Sequence, residues 1–128
     1  MEDELLAEAA EVAEAAYAPY SNFRVGAVAV AADGQRFTGV NVENAAYGST
    51  QCAESSAMAN AVTAGHTDIK TIAVACIDAE GDCYPCGNCR QMMRELGVET
   101  IIVRTPDGKA RQHTLAELLP HSFGSDSL

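Results

Sequence analysis

Cys52-Ala53-Glu54 and Pro85-Cys86-Gly87-Asn88-Cys89 are the residues of this chain whose types and spacing could do chemistry. Three thiolates can hold a zinc ion and leave its fourth tetrahedral position open, the usual mark of a catalytic rather than a structural site. Cys86 and Cys89, three apart at the start of a helical stretch, would share one face. Glu54, two residues past Cys52, need not point along the same direction. It can serve as a carboxylate beside the metal, free to move protons. Ligands, open position and base together describe water activation. A lone C-x-x-C could instead be a redox pair, but that leaves Cys52 and Glu54 unused. A structural zinc site would need a fourth ligand, for which Cys83 is the strongest candidate and His66, His113 and His121 the others. Cys76 lies inside an apolar run and reads as an inert core thiol.

The elements that must position these groups follow from the pattern of the 128 residues. Leu5, Leu6, Ala9, Val12, Ala13 and Ala16 recur at helical spacing over 2–17. Residues 18–22 read as a turn. Val25 to Ala32 and Gln35 to Val42 are β-type runs joined by Asp33-Gly34, a hairpin signal. Residues 44–51 read as loop. The spacing then predicts a helix from Cys52 to Ala64, a buried strand from Thr71 to Ile77, a break at Gly81-Asp82 and a helix from Gly87 to Leu96. A strand from Thr100 to Arg104 and a short helix from Thr114 to Leu118 complete the chain. The order αββαβαβα argues for one α/β domain over 1–128, a mixed sheet with helices on its faces. Both cysteine-bearing helices would aim their free N–H groups and positive dipole ends at the metal, offsetting thiolate charge.

Composition narrows the partners. Eighteen acidic residues against eight basic ones give a net charge of −10. Such a surface repels phosphate backbones, so no nucleic acid polymer is expected as partner. The same charge serves solubility or suits a high-salt medium. No apolar run is long enough to span a membrane. The acidic start Met1-Glu2-Asp3-Glu4 is unlike a secretory leader, so a cytoplasmic location is expected. Five cysteines, two of them in C-x-x-C spacing, fit metal binding in a reducing compartment better than a disulfide framework.

The two cysteine motifs resemble the Cys-x-Glu and Pro-Cys-x-x-Cys signature of the zinc deaminases, and specifically the small homotetrameric cytidine deaminases. The resemblance extends to Ala18–Ala27, to Thr38–Gly48 and to Leu118–Gly124. It implies a three-layer α/β/α sandwich around one mixed, five-stranded-type sheet. It also implies a hydrolase of pyrimidine salvage that converts cytidine and deoxycytidine to the uridine nucleosides plus ammonia. Zn2+ would be held by Cys52, Cys86 and Cys89, with Glu54 as proton shuttle. Asn41 and Glu43 match the positions that hold the ribose, and Phe23 the ring packed against the pyrimidine. Backbone groups near Ala53 would meet the exocyclic amine. Tyr47 and Phe123 match residues that reach a neighbouring subunit's site, which implies a homotetramer with sites at its interfaces. Read from spacing alone, Asn41 and Glu43 are a solvated strand end and Phe23 a core residue. The chain departs from the family at Ser55, where many tetrameric relatives carry Arg. That leaves the helix dipoles, or Arg90, to balance the thiolates. Deamination of a cytosine nucleoside analogue, as in blasticidin deaminases, and a non-catalytic zinc-stabilised module remain the alternatives.

Overall fold

The computed structural model describes residues 1–81 and 83–128; Asp82, half of the expected Gly81-Asp82 break, lies outside them. Helix α1 (Glu2–Ala13) is followed by strands β1 (Val25–Ala31) and β2 (Arg36–Val40), helix α2 (Ala53–Thr63) and strand β3 (Ile69–Cys76). Helix α3 (Gly87–Glu95), strands β4 (Thr100–Arg104) and β5 (Ala110–Thr114) and helix α4 (Leu115–Leu118) complete the order. The strands form one five-stranded sheet, β2-β1-β3-β4-β5. β1 runs antiparallel to β2 and β3, β3 parallel to β4, and β4 antiparallel to β5, so the sheet is mixed as expected.

Period-two alternation divides the sheet's side chains between two apolar layers. Val28, Ala73, Ala75 and Ile102 pack against Leu5, Leu6 and Ala9 of α1. Ala27, Ala29, Ile72, Val74, Ile101 and Val103 face the other way, towards Ala57, Met58 and Ala61 of α2, Met93 of α3 and Leu115 of α4. The helices therefore cover both faces of the sheet, the three-layer sandwich that the resemblance implied.

Two glycines set how closely the helices sit. A Cβ on Gly26 of β1 would lie 2.0 Å from the Ala9 carbonyl oxygen on α1. One on Gly39 of β2 would lie 2.2 Å from the Ala57 nitrogen and 2.6 Å from the Ala53 oxygen on α2. Only glycine permits either approach. The second fixes the height of the helix that opens at Cys52.

Three expectations change. Helix α1 ends at Ala13 rather than residue 17. Its last N–H groups, at Ala15 and Ala16, fold back on Val12 and Ala13, while Tyr17 donates to the Asn41 carbonyl and accepts from Glu43 N–H. A tertiary bridge thus takes the residues that a further turn would need. Strand β5 was not anticipated: after Ala110 its residues are polar, most are exposed, and it pairs along one edge of β4 only. Cys76 is not an inert thiol. It pairs with Cys83 across a Cα separation of 6.0 Å, within disulfide reach, so a disulfide coexists with the thiol cluster.

Candidate metal centre

Cys52 is the N-cap residue of α2 and Cys86 that of α3; both have extended backbone, and neither side chain caps its helix. Their thiols are thus left free, at the ends of two helices where unpaired N–H groups favour negative charge. Cys89 follows in the first turn of α3 and is buried, whereas Cys86 is exposed. The three sulfur atoms all lie within 4.8 Å of one another, and Cys52 and Cys86 are 3.7 Å apart. A tetrahedral zinc with ~2.3 Å bonds to sulfur has an S···S edge of ~3.8 Å, so the donor set fits that ion. Cys83 is paired with Cys76, which removes the strongest candidate for a fourth ligand.

The thiols already compete for protons. Hydrogen bonding from Cys89 pulls the Cys52 thiol down to about 6. Cys89, donating to Cys52 and buried beside it, is pushed far up. A divalent cation relieves that competition by replacing the protons, since thiols bind metal as thiolates. Glu54 is 5% exposed. Burial pushes its carboxyl up to about 7, with the Cys52 thiolate adding to the rise. A buried carboxyl poised near neutrality beside a thiolate cluster is suited to taking and returning a proton.

Ala53, the first residue of α2, is buried under that helix's contact with Gly39. The backbone brings the β2 extension against it: Val42 N–H donates to Gln51 O and Gln51 N–H to Val42 O, both at 2.9 Å. Asn41 and Glu43 therefore flank the strand position that leads directly into Cys52.

Neither side chain is the solvated strand end that spacing alone suggests. The Asn41 amide is buried, accepting from Val25 N–H at 2.9 Å and donating to the Phe23 carbonyl at 2.8 Å. One lone pair and one N–H remain for a ligand. The Glu43 carboxylate accepts from Tyr20 N–H, Ser21 N–H and the Ser21 hydroxyl. The hydroxyl is the leading cause that holds it below the usual carboxylate range. Ser21 was missed in the sequence, where it is one more polar residue of a turn. Its signal is the pairing of that turn with an acidic strand end.

Phe23 is partly exposed and not a sealed core residue, and its N–H donates to the Ser21 hydroxyl. Tyr47 is exposed and meets Tyr20 edge-on, ring centroids 6.3 Å apart. Tyr20, Ser21, Glu43, Tyr47 and Thr50 line an open cleft of about 300 Å³. Phe123 stands apart and exposed on the C-terminal segment, which is tied to α3 by Gln91 donating to the Phe123 carbonyl at 2.8 Å. A roomier cavity, about 510 Å³, lies between residues 74–81 with Cys83 on one side and residues 104–108 on the other. It contains none of the clustered thiols or Glu54 and is not the chemical centre.

Ser55 gives its hydroxyl proton to the Cys52 carbonyl at 2.9 Å. It supports the turn of α2 rather than a thiolate. Arg90 binds two carbonyls, of Pro85 and Leu118, each at 2.7 Å.

Comparison with known proteins gives a consistent picture. Residues 1–105 match the family model for the cytidine and deoxycytidylate deaminase zinc-binding region. A cytidine deaminase of Sporosarcina psychrophila is 41% identical over 98% of this chain and 93% of its own length. One from Mycobacterium tuberculosis is 41% identical over 97% of this chain and 90% of its own. The crystal structure of cytidine deaminase from Burkholderia pseudomallei superposes with a TM-score of 0.88, at 42% identity, covering 96% of this chain and 99% of that one.

Proposed function

From the premise that the chain belongs to the zinc-dependent cytidine deaminases, we propose a division of labour among its residues. The reaction is hydrolytic removal of the 4-amino group of cytidine, and the cofactor is zinc. The observation that carries the assignment is the three-thiol cluster with the buried Glu54 two residues beyond Cys52.

Cys52, Cys86 and Cys89 hold the zinc. When bound, the ion supplies the Lewis acidity that makes water a competent nucleophile at neutral pH. Glu54 accepts the proton of the attacking water and passes it to N3 of the cytosine ring as the C4–O bond forms. It then moves the second proton to the departing amine. The C4–N bond breaks, and ammonia and the uridine nucleoside leave. Glu54 thus alternates between base and acid, a role favoured by the burial that raises its carboxyl above the ordinary range.

Asn41 offers its remaining N–H and lone pair, and Glu43 its carboxylate, to the sugar hydroxyls. Phe23 packs on the pyrimidine, and backbone at Ala53 receives the exocyclic amine. Tyr47 and Phe123 complete the site of an adjacent subunit in a homotetramer. The exposed apolar side chains of Tyr17, Tyr20, Phe23, Val42, Tyr47 and Phe123 support such an assembly. The 128 residues act as one deaminase domain in the cytoplasm, and among the described residues no helix is long and apolar enough to cross a membrane. A net charge of −10 supports a free nucleoside over a polynucleotide as substrate.

The test is turnover of cytidine, deoxycytidine and blasticidin, followed by loss of cytosine absorbance, with zinc content measured on the same sample. Cytidine turnover that scales with zinc content is expected. A folded protein with one zinc per chain and no turnover of cytidine would overturn the assignment.

A further inference from the structure

Cys86 enters the cluster from a segment in which each of the three preceding residues is tied to a different element. Cys83 pairs with Cys76 at the end of β3. The Tyr84 hydroxyl lies 2.9 Å from Nε2 of His113 on β5. The Pro85 carbonyl accepts from Nε of Arg90 on α3 at 2.7 Å. The last of these ties goes further than the others. Arg90's backbone N–H also donates to the Cys86 carbonyl, at 3.0 Å. That backbone bond is the first i to i−4 bond of α3, so the guanidinium adds the restraint on the peptide before Cys86 that the helix itself does not supply. Nη1 of the same guanidinium donates at 2.7 Å to the carbonyl of Leu118, the last residue of α4.

We infer that Arg90 is the positioning residue for Cys86: its guanidinium fixes the peptide that leads into this thiol and anchors it to α4, while the helix backbone holds the peptide that follows. The inference rests on Cys86 being a zinc ligand. Cys86 needs such a device more than Cys89 does. Cys89 is buried within α3, whereas Cys86 is exposed and lies outside any regular element. Without such ties, a thiol at this position would have to be ordered each time metal binds, at a cost in backbone entropy. Restraint by short, charge-assisted hydrogen bonds removes most of that cost in advance. The guanidinium acts through carbonyls and not through the sulfur atoms, so its effect is on ligand placement. A planar fork reaches two carbonyls at once, which a lysine ammonium on a flexible stem does not reproduce.

The test is the rate of zinc release from the holoenzyme into excess chromophoric chelator at fixed pH, with urea unfolding of each zinc-loaded variant in parallel. Arg90→Ala is expected to release zinc roughly 10- to 100-fold faster than wild type, with Arg90→Lys in between. Arg94→Ala supplies the structural control. Arg94 lies one turn further along α3 and bonds Ser122 and Asp126, so its loss should leave release near the wild-type rate. Wild-type release from Arg90→Ala, or equal acceleration in Arg90→Ala and Arg94→Ala, overturns the inference. Should Arg90→Ala not fold, Arg90→Lys decides: release faster than Arg94→Ala supports it and wild-type release overturns it. Cys86→Ala separates the two levels. Zinc retained there at wild-type affinity overturns the ligand assignment, whereas zinc lost there with wild-type release from Arg90→Ala overturns the Arg90 role alone.

Discussion

Replacing Glu54 by glutamine keeps the shape of the buried side chain and removes its proton, so one substitution tests both its chemistry and its burial. The carboxyl is raised from an ordinary 4.5 to about 7, chiefly by burial. At ~1.4 kcal/mol per unit, that rise is worth about 3 kcal/mol. The sign follows from linkage. A carboxyl raised in the folded state favours folding fully below 4.5, where it is protonated in both states. That contribution is lost as pH climbs to about 7 and the buried group must ionise. Glutamine has no such loss. The stability of metal-free Glu54→Gln, compared with metal-free wild type, should therefore improve by about 3 kcal/mol between pH 4.5 and 7.5. Carboxylates common to both proteins cancel in that difference. Urea unfolding in the presence of chelator, at several pH values in that interval, reads it directly. The zinc-loaded variant should be folded, carry one zinc, and turn over cytidine at least ~10²-fold more slowly. A pH-independent stability difference would refute the burial argument, and near-normal turnover would refute the proton role.

Three further outcomes are expected. Gly39→Ala places a methyl 2.2 Å from the Ala57 nitrogen, which forces α2 off the sheet at a cost of roughly 3 kcal/mol or more. Zinc content should fall with melting temperature, because Cys52 opens that helix; an unchanged melt refutes the contact. Cys83→Ser should keep one zinc per chain by elemental analysis, since Cys83 is paired with Cys76; loss of zinc would return Cys83 to the ligand set. Asn41→Ala strands Val25 N–H and the Phe23 carbonyl, destabilising by about 1–3 kcal/mol. It should also raise KM for cytidine on the order of tenfold with little change in kcat; a variant with wild-type KM would remove Asn41 from the sugar site.

Helix α1 was legible through its 3.6-residue period, and β1, β3 and β4 as short apolar runs, the pattern of strands covered on both faces. The paired cysteine motifs were legible because thiol spacing on a helix start is local. What escaped was non-local. Strand β5, Ala110–Thr114, is a polar edge whose only reason to be extended is the free side of β4. No pattern within those five residues announces it. Asn41 and Glu43 are recognisable as polar positions on a strand end. Their bonds to Phe23, Val25, Tyr20 and Ser21 depend on a turn some twenty residues upstream. Cys76 looked like a core thiol because its strand is apolar, and its partner arrives only after the chain turns back. Arg90 was the hardest to read. Its sequence neighbour is Cys89, yet its side chain serves the segment before Cys86 and the far end of α4.

The sheet has a consequence for how this protein can change over generations. Its two apolar layers share strands but not side chains: α1 packs on one, while α2, α3 and the thiol cluster belong to the other. Substitutions distant in space and without common partners add independently. The helix side of the α1 layer can therefore drift, or be redesigned, to raise or lower thermal tolerance without retuning the metal. The opposite layer is constrained twice over, by packing and by chemistry. Helix residues such as Leu5 and Leu6 have room to drift, whereas Val28 and Ile102 stand between strand neighbours of the opposite layer and are held by both.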